Sequence, residues 1–309
     1  MPTLGTPEHA LYVLLDSNLP TGGFVASSGL ESYTKHGFLT PARPYGVSDP
    51  PDIRSSRIGP GREWGSGRAP QSGATLGPSK AGPAMAEFAA AEVDNFEAST
   101  GWYLRAAWEA TRRALSQDVE GGIEELVHLD EAHEATLLSH VARRASKAQG
   151  IALLTLYARG LGPPPGLYEG GKDGDGRAAE LVAGYKRAVR RGAPGHLAVC
   201  FGTVCAALGI DLDTTHHLYL FTHARSLLSS AVRLNVVGPY LSTQLLAHPL
   251  RRTIERAMGS GVALPPGEGD GGDGWEWAED AEGGPATTWP LGEILAARHD
   301  LQHSRIFNS

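Results

Sequence analysis

The chain has 309 residues, a mass of 32.6 kDa and a formal net charge of -7, long enough to bury a large core in one or two domains. Charged residues make up 20% without a concentrated basic face, which argues against a nucleic-acid binder, and no run approaches the roughly 20 apolar residues of a membrane span. The N-terminus lacks a basic region ahead of an apolar one, and Cys200 and Cys205 lie in an apolar run as small core residues rather than a disulfide pair, so a soluble protein of the reducing cytoplasm is expected.

In chain order, Leu11, Leu14 and Leu15 fall on one face of a helix over about 8–17. Pro20 ends it, and Gly22 and Gly23 permit backbone angles closed to other residues. A second helix is expected from Phe24 to His36, with Ser27 and Ser28 in its first turn and Gly37 as its stop. The small residues Ala26 to Gly29 allow the two helices to pack closely. Residues 40–82 are rich in Pro, Gly and Ser and nearly free of aliphatic side chains, a composition that favours a disordered insertion over an anion-docking arm.

A long helix is expected from Pro83 to Gln117, with Val93, Phe96, Tyr103, Ala107, Ala110 and Ala114 as its buried stripe and Gly101 weakening its middle. A short helix over 123–130 and a long one over 131–160 follow, the latter with Leu138, Val141, Ala145, Ala148 and Ala152 turned inward. Its basic group, Arg143, Arg144 and Lys147, reads as a solvated face in preference to a holder of phosphate or an acidic partner. The loop 161–176 leads to an amphipathic helix over 177–191. The run from Gly195 to Gly209, apolar on every side but too short for a bilayer, is the expected central core helix. Asp211 and Asp213 open a helix to about Asn235, and Gly238-Pro239 opens another to Met258, divided at Pro249. Residues 259–286 are Gly-rich and acidic without Lys or Arg, a second disordered insertion. A last helix after Pro290, to about Ser304, leads to a tail, residues 287–309 together forming the C-terminal unit. The apolar residues of that tail, Ile306 and Phe307, are expected to be exposed.

Catalytic chemistry is hard to find. No run fits GxxxxGK[ST], no serine lies in GxSxG, and Ser17, Ser27 and Ser28 suit capping roles. His216, His217 and His223, or His299 and His303, have spacings that permit two metal ligands per site. Neither set has a third or fourth ligand close in sequence, so no metal or cofactor site is assigned; a stand-alone nickel-binding metallochaperone using these histidines is the rival reading. The inventory is that of a helical binding protein, not an enzyme.

Five separated stretches then read together. Leu15-Asp16-Ser17-Asn18-Leu19-Pro20-Thr21-Gly22-Gly23-Phe24 with Ser28-Gly29-Leu30-Glu31 resembles the opening signature of the urease accessory protein family UreF. Arg143 with Ser146-Lys147-Ala148-Gln149-Gly150, then Gly195-His196 through Phe201-Gly202, then Arg233-Leu234 with Gly238, match later family patterns in order, and Gln302 to Ser309 is similar to the family's usual ending. The resemblance implies an all-α, single-domain bundle of roughly eight to ten helices with disordered insertions, as in fungal and plant forms. It implies a dimer that joins UreD/UreH and the nickel GTPase UreG for nickel delivery to apo-urease. It also implies partner-binding residues: Arg305, Ile306 and Phe307 in the tail, and Glu31, Gly22, Gly23 and Phe24 in the opening motif. No nucleic acid or membrane partner is implied.

Overall fold

The structure, a computed structural model, describes residues 7–16, 26–39, 78–162, 173–260 and 284–308. These are mostly helical, without strands among the described residues, as the sequence predicts. The helices are α1 (Pro7–Leu14), α2 (Leu30–Lys35), α3 (Pro78–Phe96), α4 (Trp102–Ser116), α5 (Val119–Thr136), α6 (His140–Leu156), α7 (Asp173–Arg191), α8 (Leu197–Ala207), α9 (Leu212–Arg233), α10 (Pro239–Ala247), α11 (Pro249–Gly259) and α12 (Pro290–Ala297). Helix α8 is the hub. Every residue from Ala198 to Ala206 is buried, and α4, α6, α7 and α9 pack around it. Both cysteines are buried there as free thiols. No helix among the described residues is long and apolar enough to cross a membrane.

Two glycines set how closely α8 is approached. A Cβ on Gly202 would overlap the Leu104 carbonyl oxygen of α4 and lie 3.1 Å from the Trp108 backbone nitrogen. A Cβ on Gly150 of α6 would overlap the Gly195 carbonyl oxygen and lie 2.9 Å from the His196 carbonyl carbon. Backbone cannot swing aside as a side chain can, so close packing forbids even a methyl group here. Gly202→Ala is expected to destabilise the fold by about 2 kcal/mol. Thermal unfolding followed by circular dichroism checks this, and a melting temperature equal to that of the parent would show that α4 and α8 can part freely.

Several boundaries differ from the sequence expectation. Helix α2 begins at Leu30, because Ser28 (φ 47°) and Gly29 (φ 77°) adopt left-handed backbone angles just before it, so Ser27 and Ser28 do not occupy its first turn. Gly37 does stop it: at φ 85° its N–H donates to the Thr34 carbonyl while the Phe38 N–H donates to that of Tyr33, a paired closure of the last turn. Residues 78–82 belong to α3, not to the insertion.

Helices α3 and α4 are joined by a π-helical turn, Glu97–Gly101. A Cβ on Gly101 would overlap the Glu97 carboxylate, so this glycine opens room for a buried acid and its partner His216 (Nε2 to Oε2, 2.6 Å). Residues 119–136 form one helix, and the break falls at Leu137 to Ser139, where the Ser139 hydroxyl accepts from the Ala142 N–H at 3.4 Å. Leu138 therefore lies outside the helix and is 75% exposed, and Ala148 faces solvent; Val141, Gly150, Leu153 and Leu154 form the buried face instead. The last helix ends at Ala297 and passes into a 3-10 turn, Arg298–Leu301. Asp211 caps α9 through the Thr214 N–H at 2.8 Å, and Pro249 divides α10 from α11, both as expected.

Candidate partner-docking site

The two ends of the described chain meet. A Cβ on Gly29 would lie 3.3 Å from that of Ala296, so α12 lies close against the start of α2. One residue after Leu30, the Glu31 side chain is wholly buried. Its carboxylate accepts from two successive backbone groups of the tail, the Ile306 N–H at 2.8 Å and the Phe307 N–H at 3.1 Å. Lys35, one turn along α2, places its ammonium 3.0 Å from the same carboxylate and donates to the Ser304 carbonyl. A buried carboxylate is costly unless charged and neutral donors meet it, and this one has three.

Phe307 enters the bundle, 3% exposed, with the Arg233 guanidinium 6.0 Å over its ring. Its carbonyl accepts from His299 Nε2 at 3.1 Å, which places the proton of that buried imidazole on Nε2. Phe307 thus corrects the expectation of an apolar tail exposed throughout. Ile306 keeps the expected exposure, at 64%.

A second clasp lies outside the first. Asp300 accepts both guanidinium nitrogens of Arg144 at 3.0 Å, Arg305 at 2.6 Å and His140 at 3.1 Å. The paired Arg144 hydrogen bonds, against a smaller opposing effect of burial and with help from His140 and Arg305, hold the Asp300 carboxyl down at about 2. Arg144 also donates to the Asn308 carbonyl at 3.1 Å. The basic group of α6 is therefore neither a bare solvated face nor an anion holder. Arg144 clasps the tail, while Arg143 and Lys147 lie 3.7 Å and 2.7 Å from Glu134.

Of the residues singled out in the sequence, Glu31, Arg305, Ile306 and Phe307 come together here, whereas Gly22, Gly23 and Phe24 lie outside the described residues. Lys35, His140, Arg144, Arg233, His299 and Asp300 complete the latch. Lys35 stands four residues after Glu31, and Arg144, Arg233 and His299 are named in the sequence for other reasons, but only proximity in space joins Arg144 to Asp300, across 156 positions. The elements tied by the latch also carry exposed apolar side chains: Leu138, Leu291, Ile294, Leu301 and Ile306.

The middle motifs meet at a buried polar centre. Asp130 of α5 accepts the Tyr185 hydroxyl at 2.8 Å and the N–H groups of Gly195 and His196 at 2.5 Å and 2.8 Å. Burial raises its pKa against the pull of these donors. His196 donates from Nε2 to Glu134 at 2.7 Å and accepts at Nδ1 from the Ser146 hydroxyl at 3.2 Å, and Ser146 accepts the Leu197 N–H at 3.0 Å. Arg143, Ser146, Lys147 and Gly150 of one motif and Gly195 and His196 of another thus form one joint between α6 and α8.

The histidines of the metal reading are dispersed. His216 pairs with Glu97, His223 lies 3.4 Å from Glu92 and is stacked on Phe96 at 3.7 Å beside a cavity of about 380 Å³, and His217 and His303 face solvent. Among the described residues no group of three His, Cys, Asp or Glu side chains is placed to hold a metal ion.

The described residues thus form an all-α bundle whose N-terminal motif holds its own tail. Comparison with known proteins gives the family. The UreF family model matches residues 84–249. Urease accessory protein 6 of Cryptococcus neoformans var. grubii is 46% identical, over 97% of this chain and 96% of its own. Urease accessory protein F of Arabidopsis thaliana is 26% identical over 98% and 92%, and urease accessory protein UreF of Haemophilus influenzae 23% over 98% and 96%. The chain belongs to the UreF family of urease accessory proteins.

Proposed function

We propose that the chain is a non-catalytic scaffold of urease maturation, a cytoplasmic homodimer that joins a UreD/UreH-type protein to the nickel GTPase UreG so that nickel is inserted into apo-urease. The observation that carries this reading is the latch. Glu31 and Asp300 fix the tail, while Ile306 and its apolar neighbours stay in solvent, as the centre of a protein interface requires. Arg305, with its guanidinium on Asp300, lies at the polar rim of that surface. The GTPase supplies the phosphate loop that this chain lacks.

The test is a pull-down from native lysate with the full chain as bait, read by mass spectrometry. UreG and UreD/UreH homologues are the expected partners, and a variant ending at Ser304 is expected to lose UreD/UreH while keeping its helical circular dichroism. Recovery of neither partner, or undiminished recovery by the shortened chain, would overturn the reading. Calorimetry with nickel provides the contrast: tight stoichiometric binding that is lost on His216→Ala and His223→Ala would favour a metal carrier.

A further inference from the structure

About 20 Å along α6 from Arg144, at 1.5 Å per residue, the π-helical turn Tyr157–Leu161 and the last turns of α7 bring basic residues together. Arg159, Lys186, Arg187, Arg190 and Arg191 have no counter-ion among the described residues. All are exposed except Lys186, which is half-buried. Lys186 and Arg190 lie one turn apart on α7, which packs against the π-helical turn carrying Arg159, and burial first, then the Arg190 and Arg159 guanidinium groups, hold the Lys186 ammonium below the usual lysine range. Such repulsion costs stability wherever no carboxylate relieves it. The chain has 34 acidic residues against 27 Lys and Arg, so a group of cations without a counter-ion among the described residues is not the overflow of a basic composition.

An apolar spot lies beside them. Ile151 is 45% exposed and lies eight residues before Arg159, about two turns back along the same helical segment. A Cβ on Gly195 would lie 2.9 Å from Val189 Cγ1 and 3.1 Å from Ile151 Cγ1, so both side chains border Gly195, and Arg190 follows directly on Val189.

We infer that this surface, with Ile151 and Val189 at its centre and Arg159, Lys186 and Arg190 around them, docks an acidic segment of a protein partner that carries an apolar side chain among its carboxylates. The α7 cations are strung over about 7 Å of helix, which matches successive carboxylates better than one small anion, and the apolar centre gives a free anion nothing to bind. The surface is independent of the latch and of the maturation partners proposed above.

The probe is a fluorescein-labelled peptide, Gly-Glu-Glu-Leu-Glu-Asp-Gly, titrated with the purified full chain by anisotropy at about 20 mM and about 200 mM salt. Binding should weaken at the higher salt and fall about tenfold or more in the Arg159→Ala/Arg190→Ala variant. It should weaken in Ile151→Ala as well, and a peptide with Gln at every acidic position should not bind. These side chains are solvent-facing, and unchanged circular dichroism of the variants verifies that the fold is kept. Equal affinity in parent and variants overturns the proposal. So does displacement by low-millimolar inorganic phosphate combined with no effect of Ile151→Ala, which marks a small-anion site. Markedly tighter binding by a chain lacking residues 268–282 also overturns it, since the chain's own acidic run would then be the occupant.

Discussion

Glu31→Ala is expected to release the tail while leaving the bundle folded. The substitution strips the Ile306 and Phe307 N–H groups of their acceptor and leaves the Lys35 ammonium without its carboxylate. Unmaking two charge-assisted hydrogen bonds, one of them buried, costs about 3 kcal/mol. The buried Phe307 ring, its carbonyl on His299 and the solvent-exposed contacts of Arg305 and Arg144 remain, and they offset only part of that. Hydrogen exchange at the Ile306 and Phe307 amides should quicken about a hundredfold, at 1.4 kcal/mol per decade, while exchange in α8 stays as it is. Co-purification of the tail-dependent partner should fall in step. Glu31→Gln keeps one acceptor oxygen and should fall between the two. Unaltered exchange in Glu31→Ala would mean that Phe307 and the Asp300 clasp hold the tail without Glu31.

Asp130→Ala should have the largest effect on the fold itself. Three buried donors, the Tyr185 hydroxyl and the N–H groups of Gly195 and His196, would lose the acceptor they share. Stranding buried partners in this way costs about 3–5 kcal/mol, a large share of the 5–15 kcal/mol typical of a folded domain. The melting temperature should drop by about 10 °C. Tyr185→Phe removes one donor and leaves the carboxylate with two, so it should cost only about 1 kcal/mol. A melting temperature for Asp130→Ala within a degree or two of the parent would show that the junction of α5, α7 and the start of α8 rests on packing alone.

The helices were legible because apolar side chains recur at helical spacing and because Gly37, Asp211 and Pro249 act locally, through a left-handed angle, a capped N–H and a missing donor. The burial of Ala198 to Ala206 was legible for the same reason: no polar residue other than Thr203 interrupts the run. Leu138 misled, since periodicity cannot show that Ser139 restarts the helix one residue later. The π-helical turn also escaped, because Gly101 reads as a weak helix former until Glu97 is found occupying the space it leaves. Of the site, the family signature pointed to Glu31, Arg305, Ile306 and Phe307 but not to Lys35, Arg144 or Asp300. Arg144 and Asp300 are 156 positions apart, and nothing in the local pattern of α6 separates an arginine that grips a distant aspartate from one that faces water.

The clasp between Glu31 and the tail also bears on the order of events during synthesis. The paired residues are 275 and 276 positions apart. At about 5–20 residues per second, an interval of roughly 15–55 s separates the emergence of the acceptor from that of its donors. Throughout that interval the carboxylate has no backbone partner, and α2 lacks the segment that covers it. Closure of the clasp thus waits until Phe307 has emerged, and the surface carrying Ile306 comes into being only with it.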